Sequence, residues 1–355
     1  MMLHLHRSRD NLSLLPEGPN APSFIWQLKI NFLFLHHQFP PRLSTMRTTV
    51  GLRFLCYYMK YSKRPINIPL QLEILKQRGL IFKDEDVALE YLHSISYFRL
   101  ANYWRQMEND KSTHQFYPNS YFEDIINIYL FDKKLRSLIF TAIQDIEVAL
   151  RTRIIHFYSL EHGAFWFMNK NLFKDQQLHE TCLANIQKEI NRSNEEFLKE
   201  HFAKYDEPEF PPVWKVLEVV SFGTLSKLFY NIKDTTVKKK VAKSFHLPQY
   251  IYLESWIKSA VILRNACAHH SRLWNKRFPW KPQLPQKLPS TWLKNVSVRP
   301  FKLYAQLCYL VYLEQSINPN SDFKNELKKL LQSHTKISFK AMGFPDNWQS
   351  EPLWE

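Results

Sequence analysis

The densest run of side chains able to do chemistry is Ile262-Leu-Arg-Asn-Ala-Cys-Ala-His-His-Ser-Arg-Leu-Trp274. Arg264, Asn265 and His269 follow directly on a segment whose apolar residues (Leu253, Trp256, Ile257, Ala260, Val261) repeat at helical spacing. Asn265 and His269 stand four apart and share a helical face, so the amide can hold the imidazole in one orientation and tautomer. Arg264 and His269 stand five apart, about 140° around the axis at 3.6 residues per turn. From one regular helix they cannot both point at one small ligand. Three arrangements resolve this: the Arg stem reaches around, the helix ends here, or a second copy of the site supplies the complement.

The spacing R-x4-H carries little weight alone. A chain with 17 Arg and 14 His holds about 0.7 such pairs by chance. A second pair, Arg151 with His156, falls inside a long amphipathic segment, where a surface Arg and a partly buried His are the ordinary reading. Glu147 and Arg151, four apart, make an ion pair on a helix face or support the active-site Arg or His. Cys267, His269 and His270 lack the spaced second pair of a structural zinc site, and no H-E-x-x-H occurs, so no metal is expected. Tyr97, Phe98, Tyr103 and Trp104 could stack bases but at helical spacing read as core. Lys238-Lys-Lys240 reads as a solvated face.

The elements that must position these residues are helices. Pro69 opens one that stops at Gly79, a second covers about 84–93, and an aromatic-rich segment runs from Tyr97 to Met107. Ser120-Tyr-Phe-Glu123 reads as a capping box. Apolar residues then hold the helical period for about ten turns to Gly163, with Phe131-Asp-Lys-Lys134 marking a bend. Helical stretches follow at 176–205, from Pro212 to Val220, from Ser221, and at 250–268. A Pro-rich connector (Pro279, Pro282, Pro285, Pro289) precedes a last pair near 300–316 and 322–334. No hairpin stands out, so the fold class is all-α.

The 355 residues carry 48 Lys+Arg against 33 Asp+Glu, a net charge of +15, with 45% hydrophobic and 15% aromatic residues. Global disorder is excluded, and the charge suits a polyanionic partner. With 6 Gly, no G-x-G-x-x-G and no Walker-type loop, dinucleotide-fold and P-loop chemistry are disfavoured. Four dispersed Cys (Cys56, Cys182, Cys267, Cys308) read as reduced thiols of a cytoplasmic protein. No apolar run is long enough to span a membrane. Residues 1–58, with five Pro and 6 basic against 2 acidic residues, form an irregular basic extension. It is either an arm for a polyanion or upstream sequence preceding a start at Met59. Residues 59–335 form the main helical domain and 336–355 a C-terminal tail.

Five blocks in order carry a family resemblance. They are Gln71-Leu-Glu-Ile-Leu-Lys-Gln-Arg-Gly-Leu80, Tyr91-Leu-His-Ser-Ile-Ser-Tyr-Phe-Arg-Leu-Ala-Asn-Tyr103, Ile146-Glu-Val-Ala-Leu-Arg151, the Pro212–Ser226 stretch, and Arg264-Asn-Ala-Cys-Ala-His-His-Ser-Arg-Leu-Trp-Asn275. Over roughly 59–320 the chain resembles the bacterial Abi-like proteins of the AbiD/AbiF type, associated with abortive infection. R-N-x-x-A-H on the last bundle helix resembles the HEPN (higher eukaryotes and prokaryotes nucleotide-binding) superfamily. The resemblance implies a HEPN core over about 120–320 and a metal-independent endoribonuclease without cofactor. It also implies a homodimer with the R-x4-H helices at the interface, and kinship with the RNase domains of type VI CRISPR effectors. Some relatives work with a small non-coding RNA.

The residue chemistry agrees with that implication. Metal-free RNA cleavage needs a proton acceptor for the 2′-OH and a stabiliser of charge on the phosphoryl oxygens. Imidazole takes up and releases a proton near neutrality, and the Arg fork is always charged. His269 is therefore assigned as general acid/base, Arg264 as phosphate and transition-state stabiliser, and Asn265 as the residue orienting His269. His270 and Arg272 are candidate substrate contacts, and Glu147 and Arg151 candidate supports. The competing expectation is a non-catalytic RNA- or partner-binding helical module.

Overall fold

The computed structural model describes residues 42–47, 53–58 and 61–355. Its architecture is all-α, as the sequence predicts. The chain divides into two units, Met1–Ile95 with Arg105–Ser120, and Ser96–Trp104 with Tyr121–Glu355.

In the first unit, β1 (Arg42–Arg47) and β2 (Arg53–Tyr58) pair antiparallel with Arg42 opposite Tyr58. This corrects the expectation of a wholly irregular extension. The remainder of residues 1–58, and the expected start at Met59, lie outside the described residues. Helix α1 (Ile68–Gln77) begins where the Asn67 side chain accepts from the Leu70 N–H, with Pro69 in the first turn. It stops at Gly79, whose φ of +87° lets the Leu80 N–H turn back to the Leu75 carbonyl. Helix α2 (Glu85–Ser94) is capped by Asp84. A small hairpin follows, β3 (Glu108–Asp110) with β4 (Gln115–Phe116). No Gly marks its turn. The Asp110 carboxylate holds it instead, accepting from the Ser112 N–H at 2.7 Å and from the hydroxyls of Ser112 and Thr113.

The second unit is built on α4 (Phe122–His162), 41 residues long and terminated by Gly163 at φ +82°. Tyr121 takes the N-cap position, one residue past the Ser120 at which the sequence places it. Helical structure is continuous through residues 131–134. Its stripe of Leu135, Ile139, Ile143, Ile146, Leu150 and Ile154 is fully or nearly fully buried, each side chain contributing about 1.5–3 kcal/mol. Against this rod pack α3 (Tyr97–Trp104), α7 (Val213–Val219), α9 (Thr235–Ser244), α10 (Tyr250–Ala268), α11 (Leu303–Ile317) and α12 (Phe323–Gln332). Helices α5 (Gln176–Arg192), α6 (Glu196–Lys204) and α8 (Phe222–Asn231) complete the unit.

Two features fix α10, which carries the R-x4-H run. Trp256 stacks on Trp292 and Tyr309, and its indole N–H donates to the Gln283 carbonyl at 2.7 Å. Lys238 on α9 is fully buried and paired with Glu254 of α10. This corrects the solvated-face reading at Lys238; Lys239 and Lys240 are exposed, and Lys240 bridges exposed Glu161 at 2.7 Å. Residues 336–355, expected as a tail, pack closely: Trp354 stacks on Tyr304 of α11, and Glu351 accepts from the Lys294 N–H. Among the described residues no helix is long and apolar enough to cross a membrane.

Helix α11 is buried on every side from Leu303 to Glu314, as a central helix must be. Burial pushes the Glu314 carboxyl up to about 7, against a hydrogen bond from the Ser321 hydroxyl at 2.8 Å. A carboxyl raised in the folded state favours its protonated form there. Stability is therefore lost as pH rises from the ordinary carboxylate value through 7. Glu314→Gln is expected to raise the thermal midpoint by a few degrees at pH 8 and to change it little at pH 5. An equal shift at both pH values would refute this.

Candidate active site

Helix α10 ends at Ala268, one residue before His269. His269 is the C-cap at φ −88° and ψ 13°, and His270 follows in the left-handed region at φ +52°. The His270 N–H bonds the Cys267 carbonyl at 2.9 Å and the Ser271 N–H bonds the Ala266 carbonyl at 2.8 Å. This is a Schellman termination in which His occupies the position usually held by Gly, at a cost of roughly 1–2 kcal/mol. The second of the three arrangements weighed from the spacing, a helix ending at this point, is the one observed. The His269 N–H still bonds the Asn265 carbonyl at 3.0 Å, so the turn away from the helix comes after it, at His270.

Arg264 remains on the helix, about one-third exposed, and is held from two sides. Its Nη1 donates to Asn265 Oδ1 at 3.2 Å, and its Nε lies 3.9 Å from Glu147 Oε2 on α4. The other oxygen of Glu147 accepts from Arg151 Nη2 at 2.7 Å, while Arg151 Nη1 donates to the Val220 carbonyl at 2.8 Å. The Glu147–Arg151 ion pair is thus formed, and the same carboxylate faces the Arg264 guanidinium at longer range. Asn265 was expected to orient His269; its side-chain oxygen instead accepts from Arg264. The second pair also differs from its reading, since Arg151 is buried and His156 exposed.

His269 and His270 open on a cleft of about 420 Å³ lined also by Arg99, Asn102, Arg272 and Lys276. Arg264 is not among its lining residues. Cys267, beside them in sequence, is buried, and burial pushes its thiol up to about 12, so it is no thiolate ligand or nucleophile at neutral pH.

The loop beyond α10 is held by side chains that sequence reasoning missed. Asp132, fully buried on α4, accepts from the Trp274 N–H at 2.7 Å, from the Leu273 N–H and from the Tyr103 hydroxyl at 2.7 Å. Arg136 pairs with the same carboxylate at 2.5 Å and reaches the Ser271 carbonyl at 3.4 Å. Arg99 of α3 donates to the His270 carbonyl at 2.8 Å. Burial pushes the Asp132 carboxyl up, and the Arg136 charge, the Tyr103 hydroxyl and the two backbone N–H groups oppose that shift. Burial beside that charge raises the Tyr103 phenol, which stays a donor. A signal existed: Asp132 and Arg136, four apart, continue the apolar stripe of 139, 143, 146 and 150, so both had to face inward. Tyr103 and Trp104 are core, whereas Phe98 is 77% exposed.

Residues 90–275, just over half of the chain, match the family model described as Abi-like protein. The chain belongs to the Abi-like protein family. No curated protein and no solved structure matches this Abi-like protein. The matched span begins in α2 and ends at Asn275. It contains the Glu147–Arg151–Arg264 cluster, the Asp132 hub and both histidines of the cleft. The residues that hold α10 from beyond the matched span, Gln283, Trp292, Tyr309 and Lys302 among them, lie outside it.

Proposed function

We propose that this Abi-like protein is a metal-independent endoribonuclease of HEPN type, of the AbiD/AbiF kind, acting in the cytoplasm as a toxin-like abortive-infection effector. The observation that carries the reading is the contrast at the end of α10. Arg264 faces Asn265 and Glu147 at a solvent-reached position, and His269, the last residue whose N–H bonds back into the helix, opens on a cationic cleft. A guanidinium placed in this way is preorganised for charge on phosphoryl oxygens. A histidine ring free of structural bonds can move a proton to or from a sugar hydroxyl. Because Arg264 does not line the cleft of its own chain, the reading includes a homodimer in which two copies of α10 complete each site. Family membership adds the defence setting. No cofactor is required by this chemistry.

The same absence of Arg264 from the cleft favours a second reading, a non-catalytic module that holds a regulatory RNA. Purified full-length protein incubated with labelled RNA in EDTA separates them. The expected result is cleavage that EDTA leaves intact, with 2′,3′-cyclic phosphate ends and no cleavage of DNA of the same sequence. Salt-sensitive binding without cleavage would select the second reading.

A further inference from the structure

The post-α10 loop is pinned to the segment that enters α11. The Phe278 N–H donates to the Phe301 carbonyl at 2.8 Å, Lys302 Nζ donates to Asn275 Oδ1 at 2.7 Å, and the Arg277 guanidinium lies 4.4 Å from the centre of the Phe301 ring. This pairing gathers like charges. Among the described residues, none of Lys276, Arg277, Arg299 and Lys302 has a carboxylate within 4 Å, whereas Lys76, Lys238, Lys240 and Lys329 each have one. The gathered cations also act on one another. Burial and then Arg272 lower Lys276; burial and then Arg299, Arg272 and Arg277 lower Lys302.

An excess of 15 positive charges leaves many cations unpaired, and scattered singly over a surface they would need no explanation. Here the backbone hydrogen bond and the Asn275 contact hold them together against their repulsion. The carboxylate that acts on Lys276, Asp132, is already engaged by Arg136 and by the amides of Leu273 and Trp274. The position of the cations names the kind of anion. Arg272 and Lys276 line the cleft of His269, and Arg277, Arg299 and Lys302 sit on the two segments that the Phe278–Phe301 hydrogen bond joins. A single small anion would not need a group of five cations, but successive phosphates of a strand would.

We propose that Arg272, Lys276, Arg277, Arg299 and Lys302 form a track for the backbone phosphates of the RNA strand where it leaves the His269 cleft. The track deepens the ribonuclease reading, on which the identity of the strand rests. Arg299 and Lys302 lie beyond the family-matched residues.

The test uses the full chain and a fluorescent 2′-O-methyl RNA, which lacks the attacking hydroxyl, so binding is read apart from cleavage. Arg277→Gln/Arg299→Gln removes two exposed charges. It is expected to weaken binding roughly 25-fold at 0.1 M salt and to make the slope of log K against log salt shallower by about 1.4. Lys276→Gln alone is expected to cost about fivefold. Lys239→Gln/Lys243→Gln on α9, exposed and of equal charge change, is expected to leave both quantities nearly unchanged, and thermal midpoints report that each variant folds. A single-stranded DNA of the same sequence is expected to suffer the same loss, since phosphates are shared. An unchanged slope, an equal loss in the α9 control, or a loss confined to RNA overturns the track. Cleavage with an unchanged slope would leave the ribonuclease reading standing without the track; a shallower slope without cleavage would leave the track standing without the ribonuclease.

Discussion

His269→Ala is expected to lower RNA cleavage by roughly 10²–10⁴-fold, the usual contribution of a positioned general acid or base. Binding of the uncleavable 2′-O-methyl strand should stay within about twofold, since the phosphate contacts assigned to the track are untouched. The substitution is also expected to shift stability by no more than about 0.5 kcal/mol. The ring is exposed and makes no hydrogen bond among the described residues; only its backbone N–H is engaged, by the Asn265 carbonyl at 3.0 Å. Arg264→Ala is expected to cost about 10²–10³-fold, and Arg264→Lys should rescue little. An ammonium is a point charge and cannot offer separate donors to Asn265 and Glu147 while facing a phosphate. The measurement is single-turnover cleavage in EDTA alongside binding. Retention of more than one-tenth of the wild-type rate by His269→Ala would remove the imidazole from the chemistry and leave the RNA-binding reading.

What the sequence made legible follows from which interactions are periodic. The apolar stripe from Leu135 to Ile154 repeats every three or four residues, so the long helix and its stop at Gly163 could be read directly. The Pro69 start and the Gly79 turn depend on neighbours within a few residues and were equally readable. Contacts between distant segments were not. Asp132 meets Leu273 and Trp274 across 141 and 142 positions, and no local spacing announces that meeting. The misreading of Lys238 has the same origin, because a run of three lysines suggests water until Glu254 of another helix is placed against it. Asn265 shows a subtler limit. Its spacing to His269 on a regular helix was sound, but the helix ends at Ala268, and the amide turns to the guanidinium beside it. The candidate residues were found by type, whereas their couplings depended on where the helix stopped.

Asp132→Ala is expected to cost roughly 3–5 kcal/mol of stability, the range for removing one member of a buried ion pair. The change leaves Arg136, 6% exposed, without a carboxylate, and strands the N–H groups of Leu273 and Trp274 together with the Tyr103 hydroxyl. Each stranded donor adds its own desolvation cost. Asp132→Asn separates the charge from the hydrogen bonds. Its carbonyl oxygen can still accept from the Trp274 N–H, but its amide presents donors to Arg136, so a smaller loss is expected. Urea unfolding supplies the free energies, and hydrogen exchange supplies the location. In Asp132→Asn the amides of Leu273 and Trp274 should lose protection before those of α4, because the hub ties the loop to the rod. Once that tie weakens, the His269 cleft and the paired segment that carries Lys276 should loosen together, and cleavage and the salt slope of RNA binding should fall in the same variant. Exchange that stays slow at Leu273 and Trp274 would show that the loop is held by Arg99 and the Phe278–Phe301 pairing alone, and that Asp132 serves the core rather than the site.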